Sequence, residues 1–269
     1  MPTAVINHPH ARVRLENQTL MVWVQEDPDQ PPRLQREIPL RDLERVVLGH
    51  TVHVSGPAMS ALLEAGVPIQ VFSWNGRFLG GFLPAENHHG LSRLRQYQRS
   101  LDPKFCLEIA GRLVTAKLYN QRRMLQRLGA SRGWLRGPEA GGVAGGSGGA
   151  DEAAGTALRA DLAWLDGRFR DVARAGSVDE LRGHEGVCTA RYFLAWARFL
   201  PAEFPFTGRT IRPPLDPVNA CISFGATLLY SEAVAFCHAH GLDPALGTLH
   251  STTDGRWSLA LDLIEPFRP

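Results

Sequence analysis

Short runs of β-branched and aliphatic residues dominate the first third of the chain. In VRLENQTLMVWV, residues 13–24, two such runs flank Glu16-Asn17-Gln18, which predicts a hairpin. Val46-Val47-Leu48 and residues 52–54 predict further short strands. Ser55 is placed to cap a helix over 57–65, with Gly66 closing it. Ile69–Phe72 and Phe78–Phe82 flank Asn75-Gly76, a dipeptide suited to a tight hairpin turn. Residues 1–84 thus read as a small mixed sheet with one helix. From residue 92 the period changes from two to between three and four. Asp102-Pro103 places an N-cap before a proline at the first helical position, and Gly129 is a candidate stop. Between them Phe105, Ile109, Leu113, Ala116 and Met124 form the expected core stripe. Arg112, Lys117, Arg122, Arg123 and Arg127 fall on the other sides.

Residues 137–155, GPEAGGVAGGSGGADEAAG, carry almost no bulky apolar group and cannot pack a core. They read as a flexible insertion between helices, with helix resuming near Thr156. Ser177-Val-Asp-Glu180 is a capping box. Along the helix it opens, Leu181, Cys188, Tyr192, Ala195 and Phe199 repeat at three and four, and Glu185 fills the missing slot. A carboxylate on an apolar stripe needs a partner, because burying it alone costs several kcal/mol. The plain explanation is an ion pair with a buried arginine. Asp216-Pro217 opens another helix running towards Gly241, and Asp243-Pro244 predicts a shorter one.

The expected fold class is α+β: a small N-terminal β-rich domain, 1–84, followed by an all-α domain, 92–269. The 269 residues suffice for one large domain or two small ones. No uninterrupted apolar run is long enough to span a bilayer, and the start has no basic-then-apolar signal pattern, so a cytoplasmic protein is expected. The scattered Cys106, Cys188, Cys221 and Cys237 read as buried reduced thiols. Net charge is +2, but residues 91–136 hold eleven Lys/Arg and two acids, a local +9 that leaves the remainder near −7. That asymmetry suits a polyanion-binding surface, or else a long solvated helix.

Glu185, His250, Asp262 and Glu265 are imidazole and oxygen donors in apolar surroundings. Asp262 and Glu265 are three apart, on one face if that segment is helical. Such a set suits Mg²⁺ or Mn²⁺, whereas zinc more often recruits thiolates or additional imidazoles. The same pattern also fits a histidine and acids that serve as structural hydrogen-bonding groups.

Several ordered segments carry a resemblance: the HEG around Glu185, RTIRPPLDPVNACISFG, and the run from LLYSEAVAFCHAHGLDPALGTLH through STTDGRWSLALDLIEPFRP. IPLRDLERVVLG and GPAMSALLEAGVPIQVFSWNGRFLGGF extend it into the N-terminal half. Together they resemble the CRISPR-associated adaptation integrase, the universal first Cas protein, over nearly the whole chain. The resemblance implies an N-terminal dimerisation domain and a helical catalytic domain. It implies a metal-dependent endonuclease and integrase that joins 3′-hydroxyl ends of captured DNA to the CRISPR array by transesterification. The implied partners are DNA (captured fragments and the CRISPR repeat), a second copy of the chain and the second Cas adaptation protein, with no membrane. The implied metal ligands are Glu185, His250 and Glu265, with Asp262 catalytic or supporting. The basic helix from Lys104 to Arg127 then reads as the phosphate-contacting surface, with Arg112, Lys117, Arg122, Arg123 and Arg127 as the candidate DNA contacts and Arg209 and Arg212 as further candidates.

Three departures qualify the match. Pro266 stands where the family usually has a second acid, the TTDGRW loop is less basic than in many relatives, and the family normally continues past Phe-Arg-Pro. Four residues after Glu265 offer little anchorage, so Glu265 is expected to be poorly placed and metal affinity weak. The alternative is therefore a DNA-binding, dimerising scaffold with an impaired catalytic domain. A zinc site built from His8, His10, His88, His89, His238 and His240 is a remote third reading.

Overall fold

The architecture is that of a computed structural model, which describes residues 2–27, 29–85, 89–135, 148–211 and 213–269. The described residues form two compact units: 1–96 with 227–244, and 97–226 with 245–269. These do not follow the expected limits of 1–84 and 92–269.

In the first unit, β1 (Thr3–Ile6), β5 (Arg45–Gly49), β7 (Ile69–Phe72) and β8 (Phe78–Phe82) form one sheet in that order, parallel except for the β7–β8 hairpin. A second sheet has the order β4 (Arg33–Pro39), β3 (Thr19–Val24), β2 (Ala11–Glu16), β6 (His53–Val54). The expected single sheet is thus two. Strand β4 escaped the pattern because RLQREIP is mostly exposed and hardly alternates. Both hairpins form where expected: Asn17 and Gln18 take φ of 47° and 61°, and Gly76 takes 78°. Helix α1 (Gly56–Glu64) is capped by Ser55, whose hydroxyl accepts from the Ala58 amide at 3.4 Å. Leu62 of α1 joins Ile6, Val13, Leu20, Val46 and Ile69 in the core.

Helix α2 (Gly90–Ser100) leads to α3 (Pro103–Ser131), where Asp102 caps the Lys104 and Phe105 amides. Two expectations for α3 fail. Gly129 does not stop it; Gly129 is buried in the helix, where an added Cβ would meet Leu158 Cδ2 at 2.3 Å. The left-handed residue past the end is Gly133, at φ 75°. The buried face is also out of phase with the expected stripe: it comprises Ala110, Val114, Lys117, Leu118, Gln121, Leu125 and Gly129, while Ala116 is exposed. An apolar count fails here because two polar residues occupy interior positions.

Helix α4 (Gly148–Arg174) begins eight residues before Thr156, so 148–155 of the expected flexible insertion are helical; 137–147 lie outside the described residues. In α5 (Val178–Ala197) the Ser177 hydroxyl accepts from the Glu180 amide at 3.2 Å, and the Glu180 carboxylate accepts from Gly176 at 2.8 Å. Leu181, Cys188, Tyr192 and Ala195 are buried with α3 and α4 residues in the core of the second unit.

Helix α6 (Pro217–Ala239) is long and apolar enough to cross a membrane, by length and composition, contrary to the sequence reading. Its second half nevertheless packs as a protein core element. Ala235 lies against Val47 and Phe72, and Glu232 pairs with Arg45 at 2.7 Å. The helix expected after Asp243-Pro244 does not form: the Asp243 amide and carbonyl are both taken by the Gln96 side chain, at 2.9 and 2.8 Å. Helix α7 (Ser258–Ile264) passes into a 3₁₀ turn, Glu265–Phe267. Pro266 lies inside that first turn, where a missing amide costs little.

Candidate active site

The α3 phase that buries Lys117 also aims its ammonium at two carboxylates. Lys117 Nζ donates to Glu185 Oε1 of α5 and, at 2.5 Å, to Glu265 Oε2 of the 3₁₀ turn. The lysine side chain is 4% exposed, that of Glu265 3% and that of Glu185 23%. Glu185 also accepts from Thr189 Oγ1 at 2.7 Å, and Thr189 in turn accepts from Gln121 Nε2 at 3.0 Å. Glu265 accepts from Arg268 Nη1 at 2.5 Å. A buried and a partly buried carboxylate thus face two cations, the condition for keeping charges inside a protein. Burial pushes the Glu185 carboxyl up. The Lys117 charge, the hydrogen bonds from Lys117 and Thr189, and the Arg268 charge together bring it below the ordinary carboxylate range.

Asp262 belongs to a different cluster. Its carboxylate is fully buried and receives a whole turn of backbone. Oδ2 accepts from the Thr248 amide at 2.5 Å, the Leu249 amide at 2.9 Å and the Thr248 hydroxyl at 3.1 Å. Oδ1 accepts from the His250 amide at 2.9 Å and lies 2.7 Å from His250 Nδ1. With Nδ1 engaged in this way, the imidazole presents Nε2. From α5, Arg182 donates to the Leu249 carbonyl at 2.6 Å and to Ser251 Oγ at 3.0 Å, holding the same loop one turn before Glu185.

The predicted site residues therefore divide into pairs. Glu185 and Glu265 converge on Lys117, and His250 joins Asp262. Among the described residues, no group of three or more His, Cys, Asp or Glu gathers at one point. Asp262 and Glu265, three apart, engage different partners: Asp262 holds the His250 loop, and Glu265 receives Lys117 and Arg268. The expected misplacement of Glu265 does not occur. It is 2% exposed and anchored by Lys117 and Arg268, and Asn120 donates to the next carbonyl, Pro266 O, at 2.6 Å.

The DNA-contact candidates also divide. Lys117 is interior and unavailable to a phosphate. Arg112 is exposed and pairs with Glu108 at 2.6 Å, and Arg122 pairs with Asp166 at 2.5 Å. Arg123 and Arg127 are exposed. Arg209 is turned onto Asn219 Oδ1 at 2.6 Å and over the Phe193 ring. Arg212 lies outside the described residues. Of the zinc candidates, His8 faces Glu26 at 3.6 Å, His238 stacks on Phe78 and His240 on Phe236; His88 lies outside the described residues. Sequence reasoning missed Arg182 and Thr189 as supports, and it missed Lys117's role. Only the correct α3 phase would have revealed the last.

The family model described as "CRISPR associated protein Cas1" matches residues 4–269. The chain belongs to the Cas1 family. A Cas4/Cas1 fusion from Geobacter sulfurreducens, named a CRISPR-associated exonuclease/endonuclease, is 35% identical over 87% of this chain and 39% of its own length. A CRISPR-associated endonuclease Cas1 from Mycobacterium tuberculosis is 28% identical over 96% of this chain and 68% of its own. The chain thus spans well under half of the first relative and about two thirds of the second. Among solved structures, a chain of a partial Cas6-RT-Cas1–Cas2 complex superposes with a TM-score of 0.72 at 27% identity, covering 99% of this chain and 72% of that one. A β-rich N-terminal part followed by helices is the Cas1 architecture, as the sequence pattern led one to expect.

Proposed function

We propose that this chain is a metal-dependent DNA endonuclease and integrase of CRISPR spacer acquisition, joining 3′-hydroxyl DNA ends to a CRISPR array by transesterification. The observation that carries the reading is the convergence of Glu185 and Glu265, from separate elements, on one positive charge in a chain of the Cas1 family. The carboxylate pair suits a hard cation in its donor chemistry, and the ammonium between the two marks a position that favours positive charge. His250 supports it as a third donor, since a carboxylate on Nδ1 is the usual way of orienting a metal-binding imidazole. The reading requires the His250 side chain, 30% exposed, to adjust towards the carboxylates.

Mg²⁺ or Mn²⁺, when bound by Glu185, Glu265 and His250, supplies Lewis acidity and charge neutralisation at a phosphodiester. Asp262 holds the His250 ring and its loop, and Arg182 holds the same loop from α5. The exposed α3 arginines 112, 123 and 127 contact DNA phosphates in this reading, placing a backbone without reading its sequence. The nucleophile is the DNA 3′-hydroxyl, so no covalent protein intermediate is needed. We further propose a homodimer formed through the N-terminal unit and partnership with the second Cas protein, in keeping with the Cas1–Cas2 assembly named for the structural relative. The free thiols are compatible with a cytoplasmic setting.

A second reading, a DNA-binding and dimerising scaffold with an impaired catalytic unit, is favoured by one observation: among the described residues no group of three or more His, Cys, Asp or Glu gathers in a form that could hold a metal ion. Incubating the protein with Mn²⁺ and a branched DNA separates the two. Strand-transfer product that vanishes in EDTA supports the integrase. DNA binding with no product at any Mn²⁺ concentration supports the scaffold.

A further inference from the structure

The carboxylates that would hold the metal are already bridged. Lys117 reaches Glu185 Oε1 and Glu265 Oε2 from a helix that contributes no acid to the site, and its side chain is almost fully buried. Gln121, one helical turn on, is buried beside it and reaches Glu185 through Thr189. A buried lysine held by two carboxylates from distant segments, 68 and 148 residues away, is a built arrangement rather than a surface contact.

We propose that the Lys117 ammonium is a resident counter-cation of the site. It holds the two carboxylates together in the metal-free protein and sets an upper limit on metal affinity. The inference rests on the reading of Glu185 and Glu265 as metal ligands. Without Lys117 the buried Glu265 and the partly buried Glu185 carboxylates would repel each other across a poorly screened interior, with Arg268 still paired to Glu265. With Lys117 in place, a divalent cation must share carboxylates that the ammonium already holds, through Glu185 Oε1 and Glu265 Oε2, and must bind beside a like charge. Lys117 is thus a positioning residue: it acts through the carboxylates and not on DNA. Electrostatics makes the consequence directional. Removing it should weaken the metal-free fold and strengthen metal binding, two effects that a purely structural role would not produce together.

The test compares the full chain with Lys117→Met and Lys117→Arg, by thermal unfolding in EDTA and in Mn²⁺, and by calorimetric titration with Mn²⁺. Lys117→Met is expected to lower Tm in EDTA by roughly 5 °C or more, since it strands buried charge. It is expected to gain more Tm from Mn²⁺ than wild type and to bind Mn²⁺ roughly tenfold tighter or better. Lys117→Arg, which keeps the charge, should show no such gain. If Lys117→Met folds only when Mn²⁺ is present, the inference is supported, because the metal then replaces the ammonium. Equal or weaker Mn²⁺ binding by Lys117→Met overturns it, as does failure to fold in both EDTA and Mn²⁺. Failure of the metal reading itself looks different: neither wild type nor Lys117→Met then binds Mn²⁺ at all, and the limit on affinity falls with it.

Discussion

Replacing Asp262 with alanine removes the acceptor for a whole turn of chain. The Thr248, Leu249 and His250 amides all donate to this one carboxylate, as does the Thr248 hydroxyl, and His250 Nδ1 lies against it. Leu249 is 2% exposed, so its amide gains no water in exchange, whereas Thr248 and His250 are half-buried and can turn partly to solvent. At about 1–3 kcal/mol for a stranded buried donor, and less for the two that water can reach, the sum is about 3–5 kcal/mol. That is a large share of the roughly 5–15 kcal/mol that holds a typical domain together. In a unit of this size it corresponds to a fall in Tm of roughly 6–20 °C. Asp262→Asn keeps one carbonyl oxygen but turns an NH₂ towards at least one backbone N–H, so it should destabilise about half as much. Thermal and urea unfolding of both variants measure the effect. Asp262→Ala within about 1 kcal/mol of wild type would refute the claim that this carboxylate organises the loop.

Other perturbations address different parts of the molecule. Reversing Arg112, Arg123 and Arg127 to Glu should weaken binding to all DNA sequences alike and flatten the salt dependence, by about 0.9 log units for each phosphate that is no longer neutralised; an unchanged slope would make α3 a merely solvated face. Gly129→Val should destabilise the second unit by about 1–3 kcal/mol, because the new side chain overlaps Leu158 and Leu135; wild-type stability would mean that the packing of α3 on α4 is looser than described. Burial lowers the His238 pKa, opposed by Asp243, so the folded state keeps the ring neutral. Its contribution is therefore fully present above the unfolded value of about 6.5 and is lost as pH falls through the depressed folded value. His238→Asn should flatten the stability profile on that acid side, and an unaltered profile from pH 8 to 5 would count against a neutral buried ring.

Strand runs bounded by clear turn residues were legible in the sequence, as at Asn17-Gln18 and Asn75-Gly76, because there local backbone preference and tertiary structure agree. So were the caps at Ser55, Asp102 and Ser177, where one side chain satisfies orphan amides. Strand β4 was not, because an exposed strand of charged residues carries no alternation. The α3 stripe was misread for the reason that makes the helix interesting. Lys117 and Gln121 are interior, and a search for apolar positions skips them. Glu185 was conspicuous on its apolar stripe and did have a buried cationic partner, though a lysine in place of the expected arginine. The separate duties of Asp262 and Glu265 could not be read from a spacing of three, because their partners, the 248–250 loop for one and Lys117 of α3 for the other, are brought to them only by the tertiary fold. Lys117 itself was visible only as one more basic residue on a basic helix; its membership of the site depends on 68 residues of intervening chain folding back upon it.

The account's central claim is that Glu185, Glu265 and His250 hold one divalent cation. Anomalous diffraction from crystals of the protein equilibrated with Mn²⁺ tests it most directly. The expected result is a single strong manganese peak bound by carboxylate oxygens of Glu185 and Glu265 and by His250 Nε2, absent from the His250→Ala protein at the same Mn²⁺ concentration. No peak at saturating Mn²⁺, or one bound elsewhere with the Lys117 bridge intact, would contradict it.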